Sequence, residues 1–256
     1  MQVNASVIII PKDQLCICGS GKIFSDCCMK KNHIYESMLL PDSGKQIIYD
    51  QTEIIKSVQM LNEFIISRIE NIDFVISPQD ALRKLRRLYE KLDNALQPIE
   101  KVTSCKQGCT HCCYLPILSS QIENELIKDY ISENYSTDKL SEFKYKINQN
   151  KDVLTRLVHV NGRFMHDNYK LYATANIPYD FLDSNSNCTI YKVRPFICRK
   201  YLVFNNPTTC QNTLNKTDQY YSSYLTKVKE SIIKLNKLAY GYDCQYKHIL
   251  SWFVEA

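Results

Sequence analysis

Apolar residues recur at three- and four-residue steps over five stretches of the chain, the spacing of one face of an α-helix. Ile54, Val58, Leu61, Ile65, Ile69, Ile72 and Ile76 mark the first, predicted over residues 50–77. Ser77-Pro78-Gln79-Asp80 then supplies an N-cap, a proline at the first helical position and an acid in the first turn. The helix it opens carries Leu82, Leu85, Leu88, Leu92 and Leu96 and is predicted to stop before Pro98. Ser120-Gln-Ile-Glu123 reads as a capping box ahead of Ile122, Leu126, Ile127 and Ile131. A weaker pattern runs from Thr137 to Val158, through Leu140, Phe143, Ile147, Leu154 and Leu157. A clearer one runs from Thr217 to Ala239, and residues 243–254 add a short helix containing Trp252.

Two segments lack a period. Residues 32–49 hold the turn-forming Pro41-Asp42-Ser43-Gly44 and read as a tether. Residues 159–215 are irregular and rich in Asn, Pro and aromatics, and a loop that long needs a reason. The predicted fold is mostly α: a helical domain with irregular cysteine-rich loops around a metal centre, plus a small N-terminal zinc knuckle. The expected division is a knuckle over 1–35, a linker over 36–49 and a helical domain over 50–256. The metal-binding core of that domain is expected over about 101–215.

Composition narrows the class. Of 256 residues, 45% are hydrophobic and 23% charged, which is globular and not disordered. A net charge of +5, spread thinly, argues against nucleic acid as a partner. No apolar segment approaches the ~18 residues of a membrane span.

The twelve cysteines change the picture most. They fall in tight sets with metal-ligand spacing, and the N-terminus lacks the basic region and apolar length of a signal peptide. A reducing cytoplasm is therefore expected, and a disulfide scaffold is not. Cys16-Ile-Cys18 leads through Gly19 and Gly21 to Cys27-Cys28, and the glycines let the backbone fold both pairs around one ion. The central set is Cys105, Cys109, Cys112 and Cys113, answered by Cys188, Cys198 and Cys210. One tetrahedral zinc or one four-iron cluster uses four thiolates, so seven imply two sites or one site with spare thiols. Arg194 and Arg199 flank Cys198 and are placed to hydrogen-bond sulfur or offset the thiolate charge. His111 lies between ligands and could replace a sulfur; Cys244, His33, His159 and His166 read as ordinary residues.

The N-terminal stretch, with its two pairs and Gly19-Ser-Gly-Lys22, resembles the SEC-C motif, with Ile17 where that family usually has proline. The resemblance implies zinc held by Cys16, Cys18, Cys27 and Cys28, and a protein partner docked by the knuckle. Residues 105–210 resemble the YkgJ-type CxxCxxCC family of zinc- or iron-chelating proteins. Cys105, Cys109, Cys112 and Cys113 carry that likeness with Glu123, Phe181-Leu182 and Cys188-x-Ile-Tyr191-x-x-Arg194-Pro195-x-x-Cys198-Arg199, and Cys210 fits a further downstream cysteine. Three residues separate Cys105 from Cys109 where the family has two, and Tyr179-Asp180 stands where relatives often have Cys-Pro. The resemblance implies an iron–sulfur or zinc centre, and some relatives modify protein lysines with the help of such a cluster. The sequence thus leaves a redox or protein-modifying enzyme, a non-catalytic adaptor with structural zinc, and a metal carrier as competing readings.

Overall fold

A computed structural model describes residues 5–40, 43–158, 178–211, 218–242 and 244–254 of the chain. His159 and His166 lie outside the described residues, as do the side chains of Leu154 and Leu157. The first helix, α1 (Gln51–Ile65), starts where the Asp50 carboxylate accepts the Glu53 N–H at 3.3 Å. It runs on as a π-helical turn over Ile66–Glu70, which brings Ile69 onto the same buried stripe as Ile54, Leu61 and Ile65. Ser77 caps α2 (Pro78–Glu100), its hydroxyl accepting the Asp80 N–H at 3.1 Å. Leu85, Leu88, Leu92 and Leu96 are fully buried on that helix, each contributing about 1.5–3 kcal/mol of apolar transfer.

The helix does not stop before Pro98. It continues to Glu100, with Pro98 buried inside its last turn. A proline forfeits one N–H and disturbs one backbone bond, and this close to the end few bonds are left to lose.

The stretch expected as a linker over 36–49 is a β-hairpin. Strands β1 (Ala5–Ile8), β2 (Tyr35–Leu39) and β3 (Gln46–Asp50) form an antiparallel sheet in that order. Opposed side chains give the reason: Glu36 faces Tyr49 across the ladder, and the Tyr49 hydroxyl donates to its carboxylate at 2.9 Å. Met38, Leu40, Ile47 and Tyr49 enter the main core, while Tyr35 packs with Ile10, Cys16 and Cys28 under the knuckle. The sheet therefore rests directly on the helices, and the knuckle packs against the sheet through Tyr35 and Ile48. His33 adds to the join, its Nδ1 lying 2.5 Å from Asp50 Oδ2.

Strand β4 (Leu118–Ser120) leads into α3 (Gln121–Asn134), and α4 (Thr137–Val158) follows. Two later helices are α5 (Phe196–Lys200) and α6 (Ser223–Tyr240). The chain returns as β5 (Tyr246–His248), antiparallel to β4, and closes with α7 (Ser251–Val254). Helices α1, α2, α3 and α6 pack together, and the cysteine-bearing loops lie at one end of that core. Among the described residues no helix is long and apolar enough to cross a membrane.

Candidate metal centres

At the N-terminal centre, Gly19 and Gly21 adopt φ of 78° and 73°, a left-handed turn that residues with a Cβ rarely take. The turn is closed by Cys16 N–H donating to the Lys22 carbonyl at 2.8 Å. The sulfurs of Cys16, Cys18, Cys27 and Cys28 all fall within 4.8 Å of one another. Cys18 and Cys27 are 3.5 Å apart, and Cys27 and Cys28 are 3.9 Å apart. A Zn–S bond of ~2.3 Å puts the sulfurs of a tetrahedron about 3.8 Å apart, so the donor set fits zinc. The Tyr35 hydroxyl donates to Cys28 at 3.2 Å, and Ser20 Oγ lies 3.1 Å from Cys27. A hydrogen bond from Ser20 pulls exposed Cys18 down to about 6, while burial pushes Cys28 up to about 12. His33, engaged with Asp50, is no ligand.

The central centre is assembled from three loops. Cys105 follows α2, where Ser104 N–H donates to the Val203 carbonyl at 2.9 Å and Cys105 Sγ accepts the Val203 N–H at 3.2 Å. Cys109, Cys112 and Cys113 come next, the last two on a short 3-10 turn over His111–Tyr114. Cys188 is presented by a tight loop in which the Asp183 carboxylate accepts the N–H groups of Asn185 and Asn187 at 2.9 and 2.8 Å. Cys198 sits in α5. Cys105, Cys109, Cys112, Cys113, Cys188 and Cys198 line one cavity of about 90 Å³. Cys210 lies on a neighbouring 3-10 turn, close enough to feel the charge of Cys105, Cys112 and Cys109. The charge of Cys112 reaches Cys105, Cys109 and Cys210 as well as Cys188 and Cys198, raising each of them.

Burial drives these thiols away from ionisation. It raises Cys109, Cys188 and Cys198 and pushes Cys105 to about 11 and Cys210 to about 12. Cys112 is raised first by its hydrogen bond with Cys113 and then by burial. So many thiols raised around one cavity ionise together only beside a cation, and a soft metal is the cation that such donors select.

Arg194 lines the cavity, its positive charge favouring the thiolates of Cys112, Cys188 and Cys198. It is held by Glu100 at 3.2 Å and lies 3.9 Å over the Tyr191 ring. Arg199 corrects the expectation. Fully buried, it turns away from the sulfurs to bind the Asp93 carboxylate, the Arg194 carbonyl at 2.9 Å and the Lys192 carbonyl at 2.7 Å, over the Tyr89 ring. It braces the short helix that carries Cys198 against the turn before it. His111 is not among the residues lining the cavity.

Two residues named in the sequence do more in the structure than their sequence signatures required. Glu123 forms its capping box but also accepts the Tyr89 hydroxyl at 2.6 Å and the Phe196 N–H at 2.8 Å. Tyr179 donates its backbone N–H to the Cys113 carbonyl at 3.1 Å, and its hydroxyl is bonded to Leu115 and Ile117 backbone. The capping signature pointed to Glu123; nothing local pointed to Tyr179.

Residues 104–224 match the model of the CxxCxxCC family, described as "putative zinc- or iron-chelating domain", and residues 14–30 match the SEC-C motif. Both matched regions contain the cysteine sets described above, so the likeness to each model rests on the same sulfurs that the fold brings together. No curated protein and no solved structure gives a significant match.

Proposed function

We propose that the chain is a cytoplasmic two-centre metalloprotein, with zinc in the N-terminal knuckle and an iron–sulfur cluster held by the central thiols. A contrast in spacing carries this reading. Among the described residues, only the N-terminal set gathers three or more donors all within 4.8 Å of one another. The central thiols surround a common cavity more widely. Four thiolates on one zinc must crowd together, whereas those of a four-iron cluster bind four separate irons and stand farther apart. A cluster bound there would supply redox or Lewis-acid chemistry. Around it, the Arg194 guanidinium offsets thiolate charge, and the Val203 N–H directed at Cys105 does the same by hydrogen bonding. The class of activity this supports is a redox or protein-modifying enzyme. Anaerobic purification should yield a brown protein with about four irons and one zinc per chain. About two zincs and no iron would overturn it in favour of structural zinc at both centres.

A partner-docking role for the knuckle has its own support. Ile9, Leu15, Ile17, Ile23 and Met29 are exposed on the N-terminal module, at 95% and 66% for the first two. Apolar side chains left in water on one small module fit a protein partner. If the knuckle docks one, Leu15→Glu with Ile17→Glu should abolish its co-purification while leaving zinc in place. Unchanged co-purification would remove this role.

A further inference from the structure

Beside the thiol-lined cavity lies a larger one of about 510 Å³, and the two share Cys112, Ile117, Cys198 and Tyr201 as a common wall. That volume lies within the roughly 300–1,000 Å³ that small organic ligands occupy. Leu115, Pro116, Leu118, Phe196 and Ile197 give it an apolar lining. Lys200 of α5 and Lys229 of α6 bring two ammonium groups to the same wall, and no ion pair joins either to an acid among the described residues. The one carboxylate there, Glu123, is already engaged by Tyr89, Ser120 and Phe196. Two cations and one anion leave the wall at +2 − 1 = +1. An apolar chamber with excess positive charge selects a ligand with an apolar body and an anionic head.

We propose that this cavity binds a small amphipathic organic anion, its head group between Lys200 and Lys229 and its apolar body against the wall shared with Cys112 and Cys198. Such a ligand would lie next to whatever the central thiols hold. The proposal goes beyond the metal assignment and does not depend on it, because cavity and charges belong to the chain itself.

Calorimetric titration of the full-chain protein as purified, with metal content measured on each sample, tests this. The probes are decanoate, decyl phosphate and the neutral decanol. Decanoate or decyl phosphate should saturate at one per chain, and the tighter of the two names the head group. Decanol should bind at least about tenfold more weakly, as should either anion to the Lys200→Gln/Lys229→Gln variant. Lys229→Gln alone, on the exposed side of α6, should weaken the anions severalfold without changing metal content. Leu118→Trp, at a partly exposed wall position, should also weaken binding by filling space. Equal binding of decanol and decanoate, anion affinity unchanged by the lysine substitutions, or several anions bound per chain would each overturn the proposal. Iron and zinc values settle the metal question separately from these affinities.

Discussion

The carboxylate of Glu123 accepts the backbone N–H of Phe196 at 2.8 Å, tying the start of α3 to the start of the helix that carries Cys198. Because that oxygen also accepts the Tyr89 hydroxyl, one buried side chain locks α2, α3 and α5 together behind the thiols. Glu123→Gln keeps the size but turns an amide N–H₂ toward donors. The variant should lose about 2–3 kcal/mol of stability, read as a lowered urea midpoint. Its central metal should also be lost faster to a chelator. A midpoint within error of wild type would contradict this role.

Arg199 is the one fully buried guanidinium among the described residues, and its charge is answered by Asp93. Asp93→Ala strands that charge among carbonyl partners. Since Asp93 itself is 41% exposed, the cost should be about 2 kcal/mol, below the range for a wholly buried pair. Arg199→Met should cost less than Arg199→Ala, because the methionine still fills the space over Tyr89. Urea denaturation of the three variants checks both statements.

At the knuckle, the buried Tyr35 hydroxyl donates to Cys28. Tyr35→Phe deletes it without leaving a cavity. Zinc affinity should fall about tenfold in competition with a chromogenic chelator, at the low end for lost partners of metal ligands. An unchanged affinity would show that the hydrogen bond does not reach the sulfur's electronics.

His248 has no exposed surface, and burial pushes its imidazole from 6.5 down to about 3. The folded chain holds it neutral, while the unfolded chain takes up a proton below pH 6.5. This contribution to stability is complete above pH 6.5 and is lost as pH falls toward 3, by up to about 1.4 kcal/mol per pH unit. Between pH 7 and 5, wild type should lose about 2 kcal/mol more than His248→Phe. Parallel losses in the two proteins would contradict it.

The helices were legible because their apolar stripes are long. Leu82 to Leu96 repeats over four turns, and Ser77 and Ser120 carry capping chemistry that needs no tertiary context. The strands were not. Tyr35–Leu39 and Gln46–Asp50 are five residues each, too short to establish a period of two, and β4 and β5 are three each. Pro41-Asp42-Ser43-Gly44 suits a hairpin as well as a tether, and the apolar pairing that decides between them lies across the sheet. At the centres, cysteine spacing pointed to sulfurs that the fold then brings near one another, because candidate donors are written in residue type alone. The direction of Arg199 was hidden, because its partner Asp93 lies 106 residues earlier and only packing brings them together. Tyr179 was hidden for the same reason.

The account rests on thiols from distant loops closing around one central site. Metal content per chain of Cys188→Ala and Cys198→Ala, measured with wild type after anaerobic purification, tests that most directly. Each variant should lose most of its central metal and retain about one zinc in the knuckle. Central metal at wild-type levels in both variants would contradict the convergence on which the account depends.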